Sequence, residues 1–313
     1  MPDVFPILPP VTRELATVEP GAAGLLAAGA VTGATARRVA RKGFGAVFWV
    51  CGGWILLMIL LALLAPVLPL TDPGYQNYSA VNAGPSIHHL LGTDELGRDL
   101  LSRIIFGSRV SLVIGFVPVA IGLAIGGTMG LLAGYRGGIA DHAFNALSFV
   151  ILAFPALLAI IVIEEFWGRS LGKLVILFAF VATPQLFRVM RATTLSFANR
   201  EFVVAARALG ATTRRILFKE LVPNVIPAAA SFALIGVAIA IVLEGSLAYL
   251  GLSIRLPTPS LGNIINGGVS ISELSTDPYI ALWPSLYIFL LLTALNLMSD
   301  RLRAAFDVRE GRL

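Results

Sequence analysis

The sequence predicts an all-α integral membrane protein with six membrane-spanning helices, and three observations carry that expectation. The 313 residues are 57% hydrophobic and 13% charged, with a mean hydropathy of +0.86, whereas soluble domains carry about 25% charged residues. A chain this apolar would expose large greasy patches in water, so lipid is its natural solvent. Six apolar runs are each long enough to cross a hydrocarbon core, which takes roughly 20 residues of helix. Lys and Arg also fall unevenly about those runs. With the N-terminus inside, six of the 23 lie outside (Arg98, Arg103, Arg109, Arg169, Lys173 and Arg255), and the remaining 17 lie inside. That bias places both termini in the cytoplasm.

The net charge of +5 does not imply nucleic acid, because the cations sit in short stretches between apolar runs without interleaved aromatics. Cys51 is the one cysteine, so no disulfide framework is possible, and it reads as a small buried hydrophobe.

Residues 1–43 form a cytoplasmic tail rich in Pro, Ala and Gly over its first 36 residues, read as disordered or lying on the membrane surface. The first span is expected at 44–68, too long and too far into the chain for a signal-peptide core. The others are expected near Val110–Gly134, Phe144–Phe166, Leu171–Met190, Ile226–Leu250 and Ala281–Leu297. Residues 69–108 form an outer loop, 109–300 the main helical body and 301–313 a cytoplasmic tail.

Within the outer loop, 94–106 reads as an amphipathic helix in the interface plane. Leu96, Leu100, Leu101, Ile104 and Ile105 recur at helical spacing, and Asp94/Arg98 and Asp99/Arg103 are acid-before-base pairs at i,i+4. A plain connector and a docking element both fit it. The inner connection at 198–222 reads as an elbow of two short helices. Asn199 is its expected N-cap, Glu201 favours the first turn, Gly210 stops the first helix, and Thr212 or Thr213 starts a second that ends near Pro223. Ala205 and Ala206 leave room for another protein's surface.

No phosphate-binding G-x-x-x-x-G-K-[ST] loop occurs, nor any H-E-x-x-H, C-x-x-C or G-x-S-x-G motif, and no metal site is expected. His88, His89 and His142 lack partners at ligand spacing. Ionisable groups inside spans are functional candidates. Glu164 and Glu165 are expected at a wet outer helix end, while Glu244 lies deeper, where it either lines a polar path or pairs with a neighbour. Pro118, Pro155 and Pro184 interrupt three spans and are expected to kink them.

The elbow string Val204-Ala205-Ala206, Gly210 and Glu220-Leu221-Val222-Pro223 resembles the E-A-A-x3-G-x9-I-x-L-P coupling motif of bacterial ABC importer permeases. Val204, Glu220 and Val222 depart from it, while the Ala-Ala-x3-Gly core and the Pro remain. The outer string Gly92-Thr93-Asp94-Glu95-Leu96-Gly97-Arg98-Asp99, with Ser102-Arg103, Gly107, Arg109 and Ser111-Leu112, is similar to the dipeptide/oligopeptide/nickel permease subfamily and its "C"-type subunit. Ala153-Phe154-Pro155, Gly251-Leu252 and Pro257 to Asn263 add to the likeness, which spans about 40–310.

The resemblance implies a type I importer permease fold in a bacterial plasma membrane, forming half of a peptide path. It implies ATPase contact through Glu201, Ala205, Ala206, Arg207, Leu209, Gly210, Ala211 and Pro223, and path candidates Glu244, Pro155 and Asn263. The loop from Leu256 to Gly268 would lie near the path mouth or a binding protein. Implied partners are a sister permease, two ATPase subunits or one fused ATPase, and an extracytoplasmic substrate-binding protein. ATP and Mg would be bound by those partners, with no cofactor in this chain and no nucleic acid. Importers of nickel, heme, glutathione or opines share these signatures. An ion-coupled secondary transporter fits less well, since there is no clear internal repeat and few charges lie mid-span; a membrane enzyme lacks any catalytic constellation.

Overall fold

Five long apolar helices and one bent pair make up the spanning part of the computed structural model, which describes residues 45–255, 257–269 and 271–310. The expected tail at 1–43, Phe44 of the first span, Leu256, and the last three residues of the 301–313 tail lie outside the described residues. Helix α1 is Gly45–Leu64, α2 is Leu100–Arg136, the bent pair is α3 Ile139–Ala153 and α4 Ala156–Trp167, and α5 is Leu171–Ala198. Helix α6 is Glu201–Ala208, α7 is Thr213–Tyr249, α8 and α9 are the short helices Leu261–Gly267 and Ile271–Thr276, and α10 is Tyr279–Glu310.

Several helices outrun the apolar runs that predict them. Helix α2 starts ten residues before Val110, α5 continues past Met190, and α10 turns most of the expected 301–313 tail into helix. The chain breaks only where backbone chemistry requires it. Pro155 lacks an N–H and disfavours helical angles at the residue before it. Phe154 is accordingly extended (φ −87°, ψ 133°), and α3 and α4 meet at 81°. Pro118 and Pro184, by contrast, lie inside unbroken helices.

The tightest helix contact joins α2 to α5. Gly122, Gly126, Gly130 and Gly134 fall on one helical face at i,i+4 spacing, and α5 approaches each. A methyl group at Gly126 would sit 2.2 Å from the Thr183 carbonyl oxygen, and one at Gly130 2.5 Å from that of Phe187. Small residues let helix backbones meet where lipid supplies no hydrophobic drive. Gly126→Ala therefore forces the backbones apart. It is expected to lower stability by about 1–3 kcal/mol, read as a drop in the Tm of the purified protein.

Two cores matter for position. One, through the bundle centre, joins Ile55 of α1 with Leu112 and Val119 of α2, Val237 and Ile241 of α7, and Leu291 and Leu295 of α10. The other lies at the inner helix ends, where Leu131, Met190 and Phe197 bury Val203, Ile216, Leu217 and Leu221. It roots the elbow in the bundle.

Candidate functional site

At the outer side, 92–99 is a folded loop rather than the first turns of a helix, which corrects the expectation for 94–106. Asp94 sets its shape. Its carboxylate accepts the backbone N–H groups of Leu96 (3.0 Å) and Arg98 (2.9 Å), the Arg98 Nε–H (2.7 Å) and an N–H of Arg103. A side chain that captures nearby backbone donors in this way competes with helix. Gly92 accepts the Leu100 N–H (3.0 Å), and Gly97 donates to the Asp94 carbonyl (2.9 Å). Thr93, fully buried, bonds Ala83 N–H (2.8 Å) and the Ala80 carbonyl (2.5 Å). Asp99 is the N-cap of α2, accepting from Ser102 N–H at 2.9 Å, and its other oxygen lies 2.9 Å from His89 Nδ1. Arg103 thus pairs with Asp94, not with Asp99 as the i,i+4 spacing suggested. Helix α2 begins at Leu100 and runs without a break into its span.

The three outer connections converge on one cavity of about 540 Å³. The loop before α2 supplies Asp94, Glu95 and Arg98, and α2 itself supplies Arg103. The α4–α5 turn supplies Arg169, and the segment after α7 supplies Ser253, Arg255, Asn263 and Asn266. Of the three path candidates, Asn263 lines this cavity. Pro155 lies exposed at the α3–α4 break. Glu244 is fully buried beside the cavity: Ser253, on the cavity wall, donates to it at 2.9 Å and Ser111 donates at 3.2 Å. Ser111 also accepts the Leu261 N–H (3.3 Å), so Glu244 ties α2 and α7 to α8. Glu244 pairs with neighbours and does not line the cavity. Glu164 is 2% exposed and neither of its oxygens has a partner among the described residues, so the expected wet helix end holds for Glu165 alone.

Arg169 and Arg255 escaped the sequence reading because each is a lone cation in an irregular loop. The clue available was that both belong to the outer minority of cations.

At the inner side, α6 and the start of α7 form the elbow. Arg200 is the N-cap position of α6, and Asn199 closes α5 instead. Gly210 has φ +77° and ends α6 with paired bonds, Gly210 N–H to Arg207 O and Ala211 N–H to Ala206 O, both 3.0 Å. That is the left-handed stop in which orphan carbonyls are reclaimed. Thr212 caps the next turn through Arg215 N–H (3.4 Å). The second elbow helix does not end at Pro223. A wide π turn at Ile216–Leu221 carries it straight on into the spanning part of α7, with Pro223 in the first turn that follows. The missing proline N–H is tolerated where the hydrogen-bond register has already shifted. Asn224 Nδ2 donates to the Glu220 carbonyl at 2.6 Å.

Val203 faces inward at 0% exposure, while Ala205, Arg207, Gly210 and Leu209 (88% exposed) face outward. Glu201 and Pro223 are exposed; Ala206 and Ala211 are half-buried. Arg207 lies over the Tyr135 ring at 5.6 Å, and Arg191 binds Asp141 through both carboxylate oxygens, joining α5 to α3. No group of three His, Cys, Asp or Glu side chains converges among the described residues.

Residues 126–312 match the family described as the binding-protein-dependent transport system inner membrane component. The chain is 37% identical over 257 residues to a glutathione transport system permease protein of Pectobacterium atrosepticum, covering 82% of this chain and 85% of that protein. It is 34% identical to a dipeptide transport system permease protein of Haemophilus influenzae, covering 81% and 88%. A chain of the MetNI methionine ABC transporter, solved in inward-facing conformations, superposes with a TM-score of 0.53 at 21% identity, over 66% of this chain and 97% of that one. Five or six spans, an elbow rooted at their inner ends and this likeness together place the chain in the binding-protein-dependent transport system inner membrane component family, as a multi-pass permease of the ABC importer fold.

Proposed function

We propose that this chain is one of two permease halves of an ATP-driven importer of short peptides, fed by an extracytoplasmic binding protein and driven by cytoplasmic ATPase subunits. The observation that carries the reading is the elbow. It is rooted by Val203, Ile216, Leu217 and Leu221, yet presents Ala205, Arg207 and Leu209 to solvent. The chain has no phosphate-binding loop, so the motor must be another protein. A rooted lever with an exposed face, in which Ala205 allows close approach and Leu209 offers apolar surface, is what docking to such a motor requires. A change between inward- and outward-facing states needs a partner that binds the two states with different affinity.

The substrate class rests on the relatives, which are named for dipeptide and for glutathione, itself a tripeptide. Purification of the tagged chain from its own membranes is expected to retain a protein carrying a phosphate-binding loop. With the binding protein added, proteoliposomes holding that complex should take up labelled dialanine only with ATP. Competition between dialanine and glutathione then ranks the two. Uptake driven by an ion gradient without ATP, from a chain that purifies alone, would establish a secondary transporter instead.

A further inference from the structure

The outer cavity is unbalanced in charge. Four guanidinium groups, Arg98, Arg103, Arg169 and Arg255, face it, against the two carboxylates of Asp94 and Glu95. Asp94 is already committed to Arg98 and Arg103. That leaves donors unused. A guanidinium carries five N–H groups and no acceptor. Arg103 is 3% exposed, and its Nε–H is buried without an acceptor among the described residues. Arg255 is exposed and makes no ion pair among the described residues. Arg169 gives one N–H to the Gly251 carbonyl at 2.7 Å, and its other terminal nitrogen is 3.6 Å from the largely exposed Glu165.

Ile254, Ile264 and Ile280 form apolar walls beside these cations, and low-dielectric walls strengthen an ionic contact. About 540 Å³ falls within the usual 300–1,000 Å³ of small-molecule sites. All three outer connections build the cavity, so it sits at the entrance side of the bundle.

We propose that this cavity is a carboxylate-binding station, in which Arg255 and Arg169 take the free carboxylate of an incoming small solute by charge-assisted, forked hydrogen bonds. It rests on the importer reading for the identity of the solute, a short peptide presenting its C-terminus; the anion chemistry itself does not depend on that reading.

The test uses the assembled transporter in nanodiscs, without nucleotide or binding protein, and two fluorescent probes: dansyl-glycylalanine and its C-terminal amide. The free acid is expected to bind about tenfold more tightly than the amide, and the preference should shrink as salt rises. Arg255→Gln and Arg169→Gln, both at positions with some solvent access, should each remove most of the preference, weakening the acid far more than the amide. Equal binding of the two probes, no binding of either, or an undiminished preference in the Arg169→Gln/Arg255→Gln double variant overturns the proposal. A complex that holds its ATPase and imports dialanine but does not distinguish the probes sinks the station and spares the importer. A chain without an ATPase partner that still prefers the acid does the reverse.

Discussion

Asp94→Ala is expected to cost about 3–5 kcal/mol, the usual penalty for removing one partner of a buried ion pair. Asp94 is 3% exposed and takes four hydrogen bonds, two from backbone and two from guanidinium groups that are themselves 8% and 3% exposed. Its loss would leave Arg98 and Arg103 without the carboxylate that binds them both, and two backbone donors without an acceptor. The loop 92–99 should then open, and with it the outer wall of the cavity. The measurement is the Tm of the purified complex together with the yield of assembled transporter. Asp94→Asn should fall between, because its remaining oxygen can still accept from backbone while the charge is gone. Adding Arg103→Met to Asp94→Ala should recover part of the loss, since the uncompensated charge is what costs most. A Tm for Asp94→Ala equal to that of the wild type would show that the pairs contribute nothing.

The spacing of Asp94 and Arg98 was legible in the sequence, and the pair exists. The helix inferred from it does not, because i,i+4 contact is also what a loop makes when one carboxylate folds four residues around itself. Asp99 carried the better signal: an Asp just before an apolar run, with its carboxylate free to take the N–H three residues on, marks a helix start at Leu100. The spans were legible because length and hydropathy decide them. Their overrun was not, because the extra turns are held by packing rather than by lipid: Leu100 and Ile104 of α2 against Leu261 and Ile264 at the outer side, and Phe197 of α5 in the inner core.

The glycine stripe 122–126–130–134 was written plainly at i,i+4 spacing, and it identifies the α2 face that meets α5. The cavity was not legible. Arg103, Arg169 and Arg255 lie far apart in sequence, and only the tertiary convergence of three loops gives them a common ligand-sized space. Glu244 shows the same limit. Its position in an apolar run marked it as special, but its partners Ser111 and Ser253 lie outside α7, and only the fold brings their hydroxyls to it.

Gly210→Val is expected to leave insertion and helix content intact and to lower peptide uptake per ATP hydrolysed by about fivefold to thirtyfold, which corresponds to one or two kcal/mol. The site is exposed, and a side chain there would meet nothing within 4 Å, so no clash can account for the effect. What the variant disturbs is the backbone. At φ +77° a residue with a Cβ is strained by about 1–2 kcal/mol, and a β-branched one by more. Relaxation to negative φ would break the bonds from Gly210 to Arg207 and from Ala211 to Ala206. Helix α7 cannot yield, because Ile216, Leu217 and Leu221 hold its start in the inner core; α6, held by Val203, must move instead. Ala205, Arg207 and Leu209 would then meet the motor at a wrong angle. Asn tolerates the left-handed region better than Ala or Val. Coupling should therefore fall in the order Gly, Asn, Ala, Val, a ranking by backbone preference that side-chain chemistry at the contact would not produce. If Gly210→Val imports peptide with the wild-type yield per ATP, the elbow does not transmit the motor's work.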